Sequence, residues 1–132
     1  MNELNVEIVT PDGIVFSSDV TACTAPGEHG QFQILSGHAP FLANLKIGEI
    51  KVQKQDEKKV LATSSGFLEV KDNNISIIVE SAEFAENIDI TRAKEAERRA
   101  RKKLEEKGDV DLFRADLALL RALNRLKVSS HI

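Results

Sequence analysis

The chain has 132 residues, enough for one domain or a small domain with an appendage, and this excludes a large multidomain enzyme. Apolar residues make up 42% and charged residues 30%, a balance that fits neither a disordered chain nor a membrane-spanning one. The formal net charge of −3 conceals a split: residues 1–84 carry 6 Lys, no Arg and 12 acids, a net of −6, whereas residues 85–132 carry 12 basic and 9 acidic residues, a net of +3. All seven arginines lie in the second part, which argues against a uniform nucleic-acid-binding surface.

Leu4, Val6 and Ile8 alternate with Asn5 and Glu7, the period-2 pattern of a half-buried strand, and Pro11, Asp12 and Gly13 punctuate it as a turn. Val20, Ala22 and Thr24 are expected to share one face of a second strand. The single cysteine, Cys23, falls among apolar and Thr residues, cannot form an internal disulfide and is expected as strand filler. A loop is expected over Pro26, Gly27, Glu28, His29 and Gly30, a short strand through Phe32 and Ile34, and a turn from Ser36 to Pro40. Further strands are expected over 48–55, 58–64, 66–70 and 74–80, with hairpin turns at Asp56–Glu57 and Asp72–Asn73. Many short strands with close turns point to a β-sandwich or flattened barrel over residues 1–84.

From Asp89 the period becomes helical. Ala93, Ala96, Ala100 and Leu104 form one narrow apolar stripe, and 13 of the 19 residues from Asp89 to Lys107 are charged. Gly108 is a credible stop after Lys107, and Asp109 or Asp111 can cap the next helix. That helix carries Leu112, Phe113, Leu117, Leu120, Leu123 and Leu126 as its expected apolar face, with Leu119 widening it. A short link between helices of about 16 to 18 residues predicts an antiparallel hairpin over 85–132. Its first helix supplies little apolar area, so the hairpin is expected to be marginally stable and cheap to rearrange. The expected fold class is therefore α+β.

No catalytic constellation stands out. His29, His38 and His131 lack the neighbours that metal or acid–base chemistry requires, and no phosphate loop or nucleophile elbow is present, so neither a metal site nor catalysis is expected. An enzyme using His38 would lose turnover when that residue is changed. A nucleic-acid module is disfavoured by the interleaved acids and by the lack of aromatics beyond six phenylalanines. Arginine placement is more informative. Arg92 and Arg99 lie two helical turns apart, and Arg121 and Arg125 lie one turn apart. If those faces adjoin, four guanidiniums surround a phosphate-like anion. The open alternatives are a solvated, ion-paired helix surface and a basic block (Arg98, Arg99, Arg101, Lys102, Lys103) that meets an acidic protein. The start, MNELNVEI, lacks the basic and apolar regions of a secretory leader, and no run approaches 18 apolar residues, so a cytoplasmic protein is expected.

Five segments in order resemble the epsilon subunit of bacterial F-type ATP synthases: VTPDG at 9–13; GQFQILSGHAPF at 30–41 beside the family's GxLGILPGHxPL; SSGFLEV at 64–70; IDITRA at 88–93 beside IDxxRA; and RADLAL with RALNRL at 114–126. The resemblance covers essentially the whole chain. It implies a β-sandwich followed by a helical hairpin in the central stalk, touching gamma and the c-ring, peripheral on the cytoplasmic face of the bacterial membrane and attached through the complex only. His38, Phe41 and Leu42, read as loop residues, are the implied partner contacts. An extended hairpin would meet the alpha and beta subunits and impede ATP hydrolysis. Some members bind ATP in the folded hairpin; the matching positions here are Glu83, Ile88, Asp89, Arg92, Ala93, Arg99, Arg121 and Arg125. There the arginines would meet phosphates and Glu83 the adenine edge, with ATP acting as a regulatory ligand rather than a required cofactor or a substrate. A freestanding ATP-binding sensor is the competing reading.

Overall fold

The computed structural model describes residues 3–106 and 111–130. The expectations placed on Lys107, Gly108, Asp109 and His131 lie outside the described residues. The chain divides into two compact units, Met1–Phe84 and Ala85–Ile132.

The first unit has ten strands: β1 (Leu4–Thr10), β2 (Gly13–Val20), β3 (Ala22–Gly27), β4 (Gly30–Leu35), β5 (Phe41–Leu45), β6 (Gly48–Lys54), β7 (Glu57–Thr63), β8 (Gly66–Lys71), β9 (Asn74–Val79) and β10 (Ala82–Phe84). The hydrogen-bonded order is β10-β7-β6-β3-β5-β8-β9-β1-β2, with β4 hairpinned onto β3. Strands β3 and β5 meet only where Gly27 opposes Leu45. That narrow seam divides the path into two halves that enclose one core. Cys23, Ala25, Ile34, Ile50, Val52 and Leu61 come from one half. Leu4, Val6, Ile8, Leu68, Val70, Ile75 and Ile77 come from the other. At the two ends of the path the rings of Phe16 on β2 and Phe84 on β10 meet edge-on, 6.2 Å between centroids, so the sandwich is nearly closed.

Alternation explains the strands that were expected. Leu4, Val6 and Ile8 are fully buried, as are Ile75 and Ile77 of β9. Asp72 and Asn73 both have positive φ, 50° and 62°, the mirror-image turn that matches hairpin twist. The β6–β7 turn falls on Gln55 and Asp56 instead, since Lys54 pairs with Glu57.

Four strands depart from the expectation. β2 is a strand of its own. The chain breaks at Thr21, so Val20 ends β2 while Ala22 and Thr24 belong to β3 and leave Cys23 and Ala25 as the buried pair. Pro26 and Gly27 extend β3 rather than opening a loop. Phe41 and Leu42 begin strand β5 and pair with Val70 and Glu69; they are not loop residues. β10 is three residues long, too short for periodicity to reveal. Burial pushes the Cys23 thiol up to about 12 from an ordinary 9.0. Its stabilising contribution therefore holds below about pH 9 and is lost as pH rises towards 12.

The second unit opens with a 3₁₀ turn (Ala85–Asn87), followed by α1 (Ile90–Glu105) and α2 (Leu112–Ser129). Asp89 caps α1, its carboxylate accepting from the Arg92 amide at 3.1 Å. Asp111 caps α2 in the same way through the Arg114 amide at 3.0 Å. Ala93 and Ala100 are the buried residues of α1, with Ala96 and Leu104 half-buried, as their spacing requires. On α2 the expectation fails. The buried positions are Ala115, Ala122, Val128 and Ser129, whereas Leu112, Phe113, Leu120 and Leu123 are exposed and Leu117, Leu119 and Leu126 half-buried. Two helices approach most closely through their smallest side chains, so alanine takes the contact and leucine is turned outward.

Gly66, where β8 starts against β9, tests this register. A Cβ there would collide with the Ile78 carbonyl oxygen. Gly66→Ala is expected to cost about 1–3 kcal/mol, read as a lowered urea midpoint with unchanged slope. An unchanged midpoint contradicts the close β8–β9 approach.

Candidate functional site

The alanine seam leaves a groove along the hairpin. Ala96, Ala100, Ala115 and Ala118 form its floor, and its volume is about 660 Å³. Arg99 and Lys103 on α1 and Arg114 and Arg121 on α2 rise around it, with Glu106 and Asp111 at the end nearest the inter-helix link. Larger floor residues would fill this space, so alanine both permits helix approach and creates the cavity.

The spacing of the cations has an order. Arg92, Ala96, Arg99 and Lys103 follow one another at intervals of 4, 3 and 4 on α1; Arg114, Ala118, Arg121 and Arg125 repeat those intervals on α2. Each set is one row of a helix, about 16 Å long. Elsewhere on α1 the arginines pair with acids: Arg98 with Glu95, and Arg101 with Glu97 at 3.0 Å. The Arg98 guanidinium is the main reason the Glu95 carboxyl is held below its usual range; Arg99 contributes only from longer range. Among the described residues, Arg99, Lys103, Arg114 and Arg121 have no carboxylate within ion-pair distance. A groove with four such cations and an apolar floor suits a ligand with a flat apolar body and several anionic oxygens.

The expected site residues separate into groups. Arg99 and Arg121 line the groove together. Arg92 and Arg125 stand in the same rows but are not among the lining residues; Arg125 is half-buried and already engaged by a neighbour. Asp89 and Ala93 have structural work in the motif, one as helix cap and one as a fully buried contact, and Ile88 is buried beside them. Glu83 lies on β10 in the first unit, opposite Ala62. Lys103 and Arg114 escaped selection as site residues. Their signal was the repeated 4-3-4 spacing, which extends Arg92–Arg99 to Lys103 and Arg121–Arg125 back to Arg114. Among the described residues no group of His, Cys, Asp and Glu could hold a metal ion.

On the sandwich, His38 and Phe41 pack together at the start of β5, and Leu42, the next residue along the strand, points to the other face. The His38 ring stands edge-on to Phe41 at 5.6 Å, and Phe41 to Phe32 at 5.3 Å. His38 Nδ1 lies 2.7 Å from the Ala39 carbonyl oxygen, and Leu42 is 70% exposed. A second apolar feature was not foreseen. Pairing places Phe67 opposite Ile78, Ile78 beside Val9, and Val9 opposite Ile14. The four form one row across β8, β9, β1 and β2, and Phe67, Ile78 and Ile14 are each more than half exposed. No single strand reveals this row, because it runs across the sheet and each strand contributes one residue.

Among the described residues, no helix is long and apolar enough to cross a membrane. The model of the ATP synthase Delta/Epsilon chain β-sandwich domain matches residues 3–85, and that of the Delta/Epsilon chain long α-helix domain matches residues 86–130. The ATP synthase epsilon chain of Bacillus pumilus is 41% identical over 129 residues, covering 98% of each chain. That of Staphylococcus aureus strain JH9 is 46% identical over 134 residues, again covering 98% of each. The fold is also that of a chain in the Euglena gracilis mitochondrial ATP synthase structure containing OSCP, F1 and c-ring. That chain is 23% identical with a TM-score of 0.84, over 98% of this chain and 82% of the other. With both units matched in order and two such relatives aligned end to end, the chain belongs to the ATP synthase epsilon chain family.

Proposed function

We propose that this chain is a non-catalytic central-stalk subunit whose sandwich joins gamma to the c-ring and whose helical hairpin restrains ATP hydrolysis unless ATP holds it compact. The observation that carries the regulatory half is the groove, with Arg99, Lys103, Arg114 and Arg121 around an alanine floor. Like charges face one another across a seam that buries little area. An anion bound between them removes that repulsion, and a ligand that binds only the compact form shifts the population towards it. In this reading Arg92, Arg99, Arg121 and Arg125 hold the phosphates, and Asp89 and Ala93 fix the start of α1. ATP is bound and released unchanged. When the hairpin extends, the same cations are free to meet acidic surfaces of the alpha and beta subunits.

The sandwich supplies the attachment. The row Ile14, Val9, Ile78 and Phe67 is a continuous apolar strip on an outer face, the kind of surface a partner covers. A freestanding sensor has no use for such a strip, which favours the stalk reading over that alternative. We assign the strip to gamma, and His38, Phe41 and Leu42 to the c-ring. Membrane association, on the cytoplasmic face, then comes through the complex.

Calorimetric titration of the full chain with ATP tests the regulatory half. Arg92→Ala, Arg99→Ala and Arg121→Ala are each expected to weaken binding about tenfold, ~1.4 kcal/mol. Ala118→Leu, which fills the floor while leaving every charge in place, is expected to weaken it comparably. Unaltered affinity in all four variants places ATP elsewhere. For the sandwich, Phe67→Glu combined with Ile78→Glu is expected to abolish co-purification with gamma while the isolated chain keeps its circular dichroism spectrum; retained co-purification moves the gamma contact off this strip.

A further inference from the structure

The cationic rows are longer than the motif that defines their ligand. Arg99 and Arg121 stand midway, and past them towards the inter-helix link the groove continues between Lys103 and Arg114. Arg92 to Lys103 spans about 16 Å, as does Arg114 to Arg125. Neither Lys103 nor Arg114 has a carboxylate within ion-pair distance among the described residues, although the neighbouring Arg98 and Arg101 do. The Arg114 backbone amide is already taken by the Asp111 cap, so what it offers the groove is its guanidinium. The only acids that line the groove among the described residues are Glu106 and Asp111, which mark where an anionic chain must stop or turn out to solvent.

We infer that the Lys103–Arg114 end of the groove is a further subsite for phosphate, so that the hairpin accepts linear phosphoanhydride chains longer than a triphosphate. The inference rests on the reading of the groove as a phosphate site and extends it by two residues that the IDxxRA motif does not include. Two sources share this chemistry: a nucleoside carrying four or more phosphates, and inorganic polyphosphate. For the first, the nucleoside sits at the motif end and the terminal phosphate reaches Lys103 and Arg114. For the second, the chain occupies the row of cations without the base. Each added phosphate meets one lysine or arginine across a groove open to solvent, so the gain is moderate and falls with salt.

Calorimetry on the full chain at low ionic strength, magnesium-free, compares ATP with adenosine 5′-tetraphosphate, and tripolyphosphate with a longer linear polyphosphate. Adenosine tetraphosphate is expected to bind roughly fivefold tighter than ATP, and Lys103→Gln with Arg114→Gln to bring that ratio to about one. The readout is the ratio within one protein, so a change in hairpin stability that affects both ligands cancels. Both residues are exposed, and the comparison on the unaltered chain stands without the variant. If ATP binds and the tetraphosphate binds no tighter, the subsite is overturned and the nucleotide reading survives. If neither nucleotide binds but polyphosphate does, and the variant abolishes it, the subsite holds and the nucleotide reading falls. If the ratio is high but unchanged in the variant, the extra phosphate is held by other groups and the assignment to Lys103 and Arg114 is wrong. If nothing binds, both fall.

Discussion

The hairpin is governed by the contest between alanine contacts and facing cations. Ala93, Ala96 and Ala100 on α1 and Ala115, Ala118 and Ala122 on α2 carry the same 3-4 spacing, and alanine is the buried residue at the core positions of both helices. A methyl group lets helices come close but removes little area from water, and at about 25 cal/mol per Å² it supplies far less than a leucine would. The rows of Arg and Lys beside the seam oppose closure. A leucine seam would hold the hairpin regardless of ligand; an alanine seam leaves closure responsive to whatever neutralises those charges. Large apolar residues that sequence periodicity would have put there are instead at the surface: Leu112, Phe113, Leu120 and Leu123.

The sandwich is built on the opposite principle. Its core consists of fully buried Leu, Ile and Val side chains drawn from both halves of the strand path, with Cys23 sealed among them. The two units thus differ in character: large apolar side chains fill the first, and alanine contacts hold the helices of the second.

Much of this was legible in the sequence, and the failures have physical causes. Alternation exposed β1, β6, β7, β8 and β9, and the change of period at Asp89 marked where α1 begins. β2 was hidden because GIVFSSDV is flanked by only one turn signal and its alternation dissolves into Ser17, Ser18 and Asp19. β5 was hidden by its position next to a Gly-His-Ala-Pro turn, which made Phe41 and Leu42 read as loop. The α2 face was misread because hydrophobicity was taken as the measure of burial, where close helix approach selected for size. Arg99 and Arg121 were found by spacing and stand together in the groove; Lys103 and Arg114 continue the same spacing, but that their two rows adjoin is tertiary information. The outer row of Val9, Ile14, Phe67 and Ile78 is invisible in one dimension for the same reason.

Amide hydrogen exchange on the isolated full chain, with and without ATP, tests the central claim most directly. The account predicts that α1 and α2 exchange much faster than β1, β8 and β9 in the absence of nucleotide, and that saturating ATP slows exchange in both helices while leaving the sandwich unchanged. Helices already as protected as the sandwich core before ATP is added, and unaltered by it, would contradict the account, because the alanine seam alone would then be sufficient to hold the hairpin closed.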